Sequence, residues 1–320
     1  MNSGSNIARK YVFVCGLHRS GTTLLAHNLG ELEGCTAFRK TGVTMDEGQF
    51  LQDVYPVDNA YGGVGLFSFD SRAHLTETSD LLTPGNITRL QASWHAHWEK
   101  EKPICIEKTP GNLIMGRFLQ EVFENAYFVV IKRHPIAVSL ASQKWSRTPL
   151  HNLFEHWLHC HNLFEQDKKH LRHVYELTYE DYIEYPAKYT AEMAAFIGTR
   201  PINEKTESVT DSHNKKYFER WRYLATESRF RKYYRHLVCK YEGQLRMHDY
   251  SLVTEFPTDQ ECAINGREDW FMTGELCCDL ATVCGHVWRA AALARSRFDR
   301  RMPCIHSVAR RRIKPLLDRR

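Results

Sequence analysis

The stretch Gly16-Leu17-His18-Arg19-Ser20-Gly21-Thr22-Thr23 decides how the rest of the chain is read. Before it stands Lys10-Tyr11-Val12-Phe13-Val14-Cys15, a run of strand formers ending at a glycine. Behind it, Thr22 to Glu33 carries Leu24, Leu25, Leu29 and Leu32 on one helical face. A strand, a glycine-bounded loop and a helix in this order make an anion cradle. The glycines let the backbone curl until successive amides point inward. The helix N-terminus adds partial positive charge, and Thr22 and Thr23 add hydroxyl donors.

Further along, Pro103-Ile104-Cys105-Ile106, Ala126 to Lys132 (AYFVVIK) and His173 to Thr178 read as strands. Helices are expected over 86–100, 112–123, from Pro135, over 150–170 and over 179–197. This alternation predicts an α/β fold: a three-layer, P-loop-like parallel sheet with helices on both faces and right-handed crossovers. Residues 34–84 are irregular and rich in glycine and aromatics, as a binding surface would be. Beyond residue 200 the pattern is mostly helical. The expected division is an α/β body over 1–255 and a helical, basic C-terminal extension over 256–320.

Composition narrows the class. Hydrophobic residues at 42% and charged residues at 25% are ordinary for a globular protein and exclude disordered, collagen-like and coiled-coil readings. No apolar run reaches the length of a membrane span. The run 11–17 stops at His18-Arg19 without a cleavage site, so a signal sequence is rejected. Ten cysteines without a CxxC pair suit reduced thiols, and a cytoplasmic setting is expected. The net charge of +5 sits in the tail: residues 289–320 hold eleven Lys or Arg against two Asp, leaving 32 basic and 36 acidic residues before them. Attraction to polyanions belongs to that tail, and no specific nucleic-acid binding is expected.

Which anion the loop takes turns on one position. A Walker A loop needs Gly-Lys-[Ser/Thr]; here Thr22 stands in the lysine's place and the cation lies upstream at Arg19, which disfavours Mg·ATP chemistry. The loop, together with Glu107-Lys108-Thr109-Pro110, Lys132-Arg133-His134-Pro135 with Ser139, and Tyr179-Glu180-Asp181-Tyr182, resembles the sulfotransferases that use 3′-phosphoadenosine 5′-phosphosulfate (PAPS). The resemblance covers about residues 10–224. Each piece falls at the C-terminal end of an expected strand, where open α/β sheets bind ligands.

What the resemblance implies is the following. Gly16, Arg19, Ser20, Gly21, Thr22 and Thr23 would wrap the 5′-phosphosulfate. Lys108 would approach the same group, Arg133 would grip the 3′-phosphate, and Tyr179 would contact the nucleotide. The family's serine partner of the arginine falls at Ala141, so Ser139 is chosen, with Ser142 as the alternative. The histidine that follows Lys-Thr in the cytosolic branch is Pro110 here, and a proline cannot take a proton. Other branches use a glutamate soon after the loop helix, which selects Glu47, then Asp46, as base. Arg19 cannot give up its proton and can only stabilise charge.

The reaction implied is sulfonyl transfer to a hydroxyl or amine of a small-molecule, glycan or peptide acceptor, with no metal required. The aromatic stretch 50–69, with Tyr55, Tyr61 and Phe67, is expected to help form the acceptor pocket, and Lys215-Lys216-Tyr217 with Trp221 and Arg222 to cap the nucleotide. His156 and Cys160 share a helical face but lack the further ligands zinc needs. His95 and His97 read as packing or rim residues. The competing readings are a P-loop kinase or hydrolase, and a non-catalytic nucleotide-fold protein with a basic binding tail.

Overall fold

The computed structural model describes residues 9–202 and 212–253. At its centre lies β1 (Lys10–Cys15), with β3 (Ile104–Lys108) on one side and β4 (Ala126–Lys132) on the other. The short β2 (Cys35–Ala37) and β5 (Val174–Thr178) complete the order β2-β3-β1-β4-β5, and every pairing is parallel. The register sets Val14 beside Lys108 and Cys15 beside Val130, so the C-terminal ends of the three central strands share one edge.

Alternation along these strands builds two cores. Phe13, Cys15, Phe128 and Val130 point into one, which also takes Trp94, Phe118, Phe154, Trp157 and Trp221. Val12, Val14, Val129 and Ile131 point into the other with Leu25, Leu29, Tyr182 and Ile197. Burial on both faces explains why the strands read as continuous apolar runs, and each large side chain so buried contributes roughly 1.5–3 kcal/mol. The three-layer α/β architecture is therefore the observed one.

Helix ends follow local chemistry. α1 (Thr22–Gly30) starts after Gly21, and α2 (Pro84–His95) starts with Pro84 while the Thr83 hydroxyl accepts the Asn86 N–H at 3.2 Å. Between them, residues 38–83 form short 3₁₀ turns rather than α-helix or strand. The expected helix over 112–123 is a 3₁₀ segment (Pro110–Ile114) followed by α3 (Gly116–Val122). α4 (Pro135–Ser146) has Pro135 in its first turn, and α5 (Leu150–Asp167) follows.

The single helix expected over 179–197 is two, α6 (Tyr179–Glu184) and α7 (Pro186–Ile197). Pro186 cannot donate to the preceding turn, and it pushes Tyr185 out of helical geometry (φ −127°, ψ 59°). Strand β2 was not expected, since three residues are too few to show a period. α8 (Ser212–Thr226) and α9 (Arg231–Arg246) close over the first core. Among the described residues no helix is long and apolar enough to cross a membrane. The helical, basic extension expected over 256–320 lies outside the described residues.

Candidate active site

The loop between β1 and α1 is shaped by contacts that only glycine permits at two places. A Cβ on Gly16 would stand 2.5 Å from the Ile131 carbonyl oxygen. One on Gly21 (φ +99°) would stand 2.6 Å from the Tyr179 ring. Arg19 also takes the left-handed conformation, at φ 70°, and its side chain is exposed. Ser20 closes the turn through its N–H to the Leu17 carbonyl at 3.0 Å. Its side chain is fully buried, and its hydroxyl has no hydrogen-bond partner among the described residues. Thr22 is buried and Thr23 half-buried.

Arg133 follows β4 directly, and its guanidinium turns onto this loop. Nη1 donates to the Arg19 carbonyl at 2.7 Å, while Nε and Nη2 donate to Asn214 Oδ1 at 2.9 and 2.6 Å. The guanidinium lies 4.0 Å above the Tyr179 ring. Burial pulls the Arg133 pKa down, yet an arginine so placed keeps its charge. Asn214, on α8, is oriented by Glu180: its Nδ2 donates to Glu180 Oε1 at 2.7 Å, an oxygen that also accepts the His134 N–H. On α4, Ser139 is fully buried, its hydroxyl without a partner among the described residues, and Ser142 is buried too.

On the other side of β1, Lys108 at the end of β3 meets Glu47. Both are buried, 5% and 6% exposed, with Nζ 3.0 Å from Glu47 Oε1 and 3.2 Å from the Met45 carbonyl. The other carboxylate oxygen of Glu47 accepts from Gln49 Nε2 at 2.7 Å. Asp46 is occupied differently: its carboxylate accepts the N–H groups of Lys40 and Thr41 and the Thr41 hydroxyl. Burial works against ionisation there, but these bonds prevail and hold Asp46 below the usual carboxylate range. Met45 and Asp46 both have positive φ, 56° and 50°, so the turn before Glu47 is strained.

Glu107, one residue before Lys108, pins the same loop. It is 1% exposed and accepts the Gly48 N–H at 2.9 Å, the Thr109 hydroxyl at 2.6 Å and the Asn112 amide. Burial outweighs these bonds and pushes its carboxyl up to about 7. A third group joins through the phosphate loop: His18 Nε2 lies 3.1 Å from Asp58 Oδ2, and the Asp58 N–H donates to Gln49 Oε1 at 2.9 Å.

The structure thus brings Gly16, Arg19, Ser20, Gly21, Arg133 and Tyr179 together, and joins Lys108 to Glu47. Asn214, Glu107, Gln49, Asp58 and His18 escaped the sequence reading. For Glu107 and His18 a signal existed, because each sits inside a motif already singled out; for Asn214 none did. Two expectations are corrected. Tyr55, Tyr61 and Phe67 are buried in the first core, since a stretch without long helices must fill its own interior, so they do not stand open as pocket walls. Of the expected cap, Trp221 is turned fully inward and donates to the Leu252 carbonyl, while Tyr217 packs 5.9 Å from Arg133.

His95 accepts or donates to the Tyr11 hydroxyl at 2.9 Å, and His97 packs edge-on to Phe38, both as packing residues. His156 and Cys160 meet at 3.6 Å, but no group of three metal-ligating side chains is assembled among the described residues.

This chain belongs to the sulfotransferase family, whose sequence model matches residues 12–204. No curated protein matches it in sequence. Among solved structures it resembles the sulfotransferase domain of the Synechococcus PCC 7002 olefin synthase, at 18% identity over 66% of this chain and 78% of that one, TM-score 0.41. It also resembles sulfotransferase STF9 from Mycobacterium avium, at 12% identity over 76% and 78%, TM-score 0.45. A third is retinol dehydratase in complex with retinol and PAP, at 18% identity over 68% of each chain, TM-score 0.34.

Proposed function

We propose that this protein transfers a sulfonyl group from PAPS to a hydroxyl or amine of an acceptor, with residues 1–255 as the catalytic body and 256–320 as an extension. The observation that carries the reading is the bond between the Arg133 guanidinium and the Arg19 carbonyl, 114 residues apart in sequence. It sets a buried cation against the glycine-bounded loop.

The residues suit such a donor. Two glycines leave the loop no Cβ where the backbone must curl. The hydroxyls of Ser20 and Ser139 are buried without partners among the described residues, a condition that oxygens of a bound anion would relieve. In this reading the loop amides, Ser20, Thr22, Thr23 and Arg19 hold the 5′-phosphosulfate. Arg133 offers its fork to the 3′-phosphate, Tyr179 supports it from below, and Ser139 adds a hydroxyl.

Without donor, Lys108 neutralises Glu47. A phosphosulfate competes for that ammonium, and as Lys108 turns to it Glu47 is released to accept the acceptor's proton. The new S–O or S–N bond to the acceptor forms as the S–O bond to the phosphate breaks, and Arg19, Lys108 and the loop amides balance the charge gathering on the leaving phosphate. Asp46 is a poorer base because its carboxylate is consumed by the turn.

A thermal-shift comparison tests the donor: 3′,5′-diphosphoadenosine (PAP) without Mg²⁺ raises the melting temperature, whereas Mg·ATP does not. The opposite pattern favours a kinase and overturns the proposal. Turnover of labelled PAPS across sugar, phenol and peptide acceptors then reports on Glu47. Glu47→Gln lowers kcat by roughly 10²–10⁴-fold with PAP binding kept; unchanged turnover eliminates it as the base.

A further inference from the structure

We propose that His18 binds the sulfonate end of the donor as an imidazolium held in place by Asp58. The inference rests on the PAPS reading above and adds a residue to it.

His18 lies inside the phosphate loop and is 9% exposed. Its Nε2 faces Asp58 Oδ2 at 3.1 Å, and Asp58 is buried as well. A carboxylate oxygen only accepts, so Nε2 carries a hydrogen. Asp58 is itself fixed: its Oδ1 accepts the Asn59 N–H at 2.7 Å and its own N–H donates to Gln49 Oε1 at 2.9 Å. The other ring nitrogen, Nδ1, is buried with no partner among the described residues. The rings of Phe67 and of the exposed Trp145, each 6.0 Å away, offer it no lone pair.

A buried polar atom without a partner calls for an explanation. Ser20, two residues along the same loop, shares the condition. One anionic guest satisfies both. With the Asp58 carboxylate balancing its charge, the ring presents Nδ1–H to that guest, and a bond of this kind to an anion is charge-assisted.

Position selects the sulfonate over the nucleotide. His18 connects through Asp58 and Gln49 to Glu47, and through Glu47 to Lys108. Arg133 approaches the loop from the other side, through the Arg19 carbonyl and the Tyr179 ring. His18 therefore stands on the side of the proton acceptor, where the transferable group must lie. No bond to His18 forms or breaks; it donates one hydrogen bond throughout.

The test compares PAPS with PAP, which lacks the sulfonate, in His18→Gln and His18→Asn. Glutamine places its amide N–H near Nε2 and keeps Asp58 paired, but leaves nothing at Nδ1. Asparagine places an amide near Nδ1. His18→Gln is expected to weaken PAPS binding roughly ten- to a hundredfold and to lower kcat, with PAP binding unchanged. His18→Asn is expected to recover part of the PAPS affinity. Equal losses for PAPS and PAP, no loss for either, or an asparagine variant no better than the glutamine one overturns the proposal. Should His18→Gln fail to fold, the PAPS-to-PAP affinity ratio of His18→Ala decides: a ratio below the wild type's supports the contact, and a ratio equal to it overturns the proposal. If the wild-type protein binds neither nucleotide, the PAPS reading itself has failed, and this inference with it.

Discussion

Replacing Glu107 by glutamine probes the most deeply buried ionisable group beside the cleft. In an unfolded chain its carboxyl titrates near 4.5, whereas burial in the fold raises it to about 7. Between those values the folded protein holds a proton that the unfolded chain has released. The stabilisation this proton represents is complete below 4.5 and is lost as pH rises through 7. A gap of about 2.5 pH units at 1.36 kcal/mol each comes to about 3 kcal/mol. Glutamine cannot titrate and still offers an oxygen to the Gly48 N–H. Urea unfolding of both proteins at several values between pH 4.5 and 8 gives the difference in stability at each. That difference moves against the wild type by about 3 kcal/mol across the window. A difference that stays flat with pH refutes the argument, because it means Glu107 is ionised in the fold at all these values and its three donors outweigh burial.

Two substitutions probe the phosphate loop. Gly21→Ala forces a Cβ to within 2.6 Å of the Tyr179 ring at φ +99°, which costs at least about 1–2 kcal/mol and lowers Tm; an unchanged melt means the ring yields freely. Arg133→Lys keeps a positive charge but cannot donate to the Arg19 carbonyl and Asn214 Oδ1 together, so PAP affinity measured by calorimetry drops by roughly 10- to 100-fold, about 1–3 kcal/mol. Affinity equal to that of the wild type removes Arg133 from the binding site.

The phosphate loop was legible in the sequence because its determinants are contiguous: a run of strand formers, two glycines, then leucines at helical spacing. β4 was legible for the same reason, as six apolar or aromatic residues ending at a lysine and followed by a proline-led helix. The cleft was legible only as fragments. Arg133 and the loop each carry a recognisable pattern, yet the contact between them depends on β1 and β4 being neighbours, a property of pairing rather than of either segment. Asn214 was hidden because a single asparagine in a basic, amphipathic helix has no periodic signature. Glu107 was passed over beside Lys108 since a carboxylate before a strand's last lysine looks like solvent-facing charge; its burial comes with Gly48 packed against its carboxylate. The aromatic stretch 50–69 misled because hydrophobic rings serve interiors and open walls equally well.

The grip of Asn214 on Arg133 has a bearing on how this chain reaches its working form. An arginine that emerges early in synthesis waits for a helix 81 positions later to receive two of its three donating nitrogens. Until that helix docks, a cation destined for the interior has water as its companion. Full support of the Arg133 guanidinium is then a late event in maturation, arriving with α8 rather than with the glycine loop, and a nascent chain released before Asn214 would carry the recognisable motifs without the contacts that fix them.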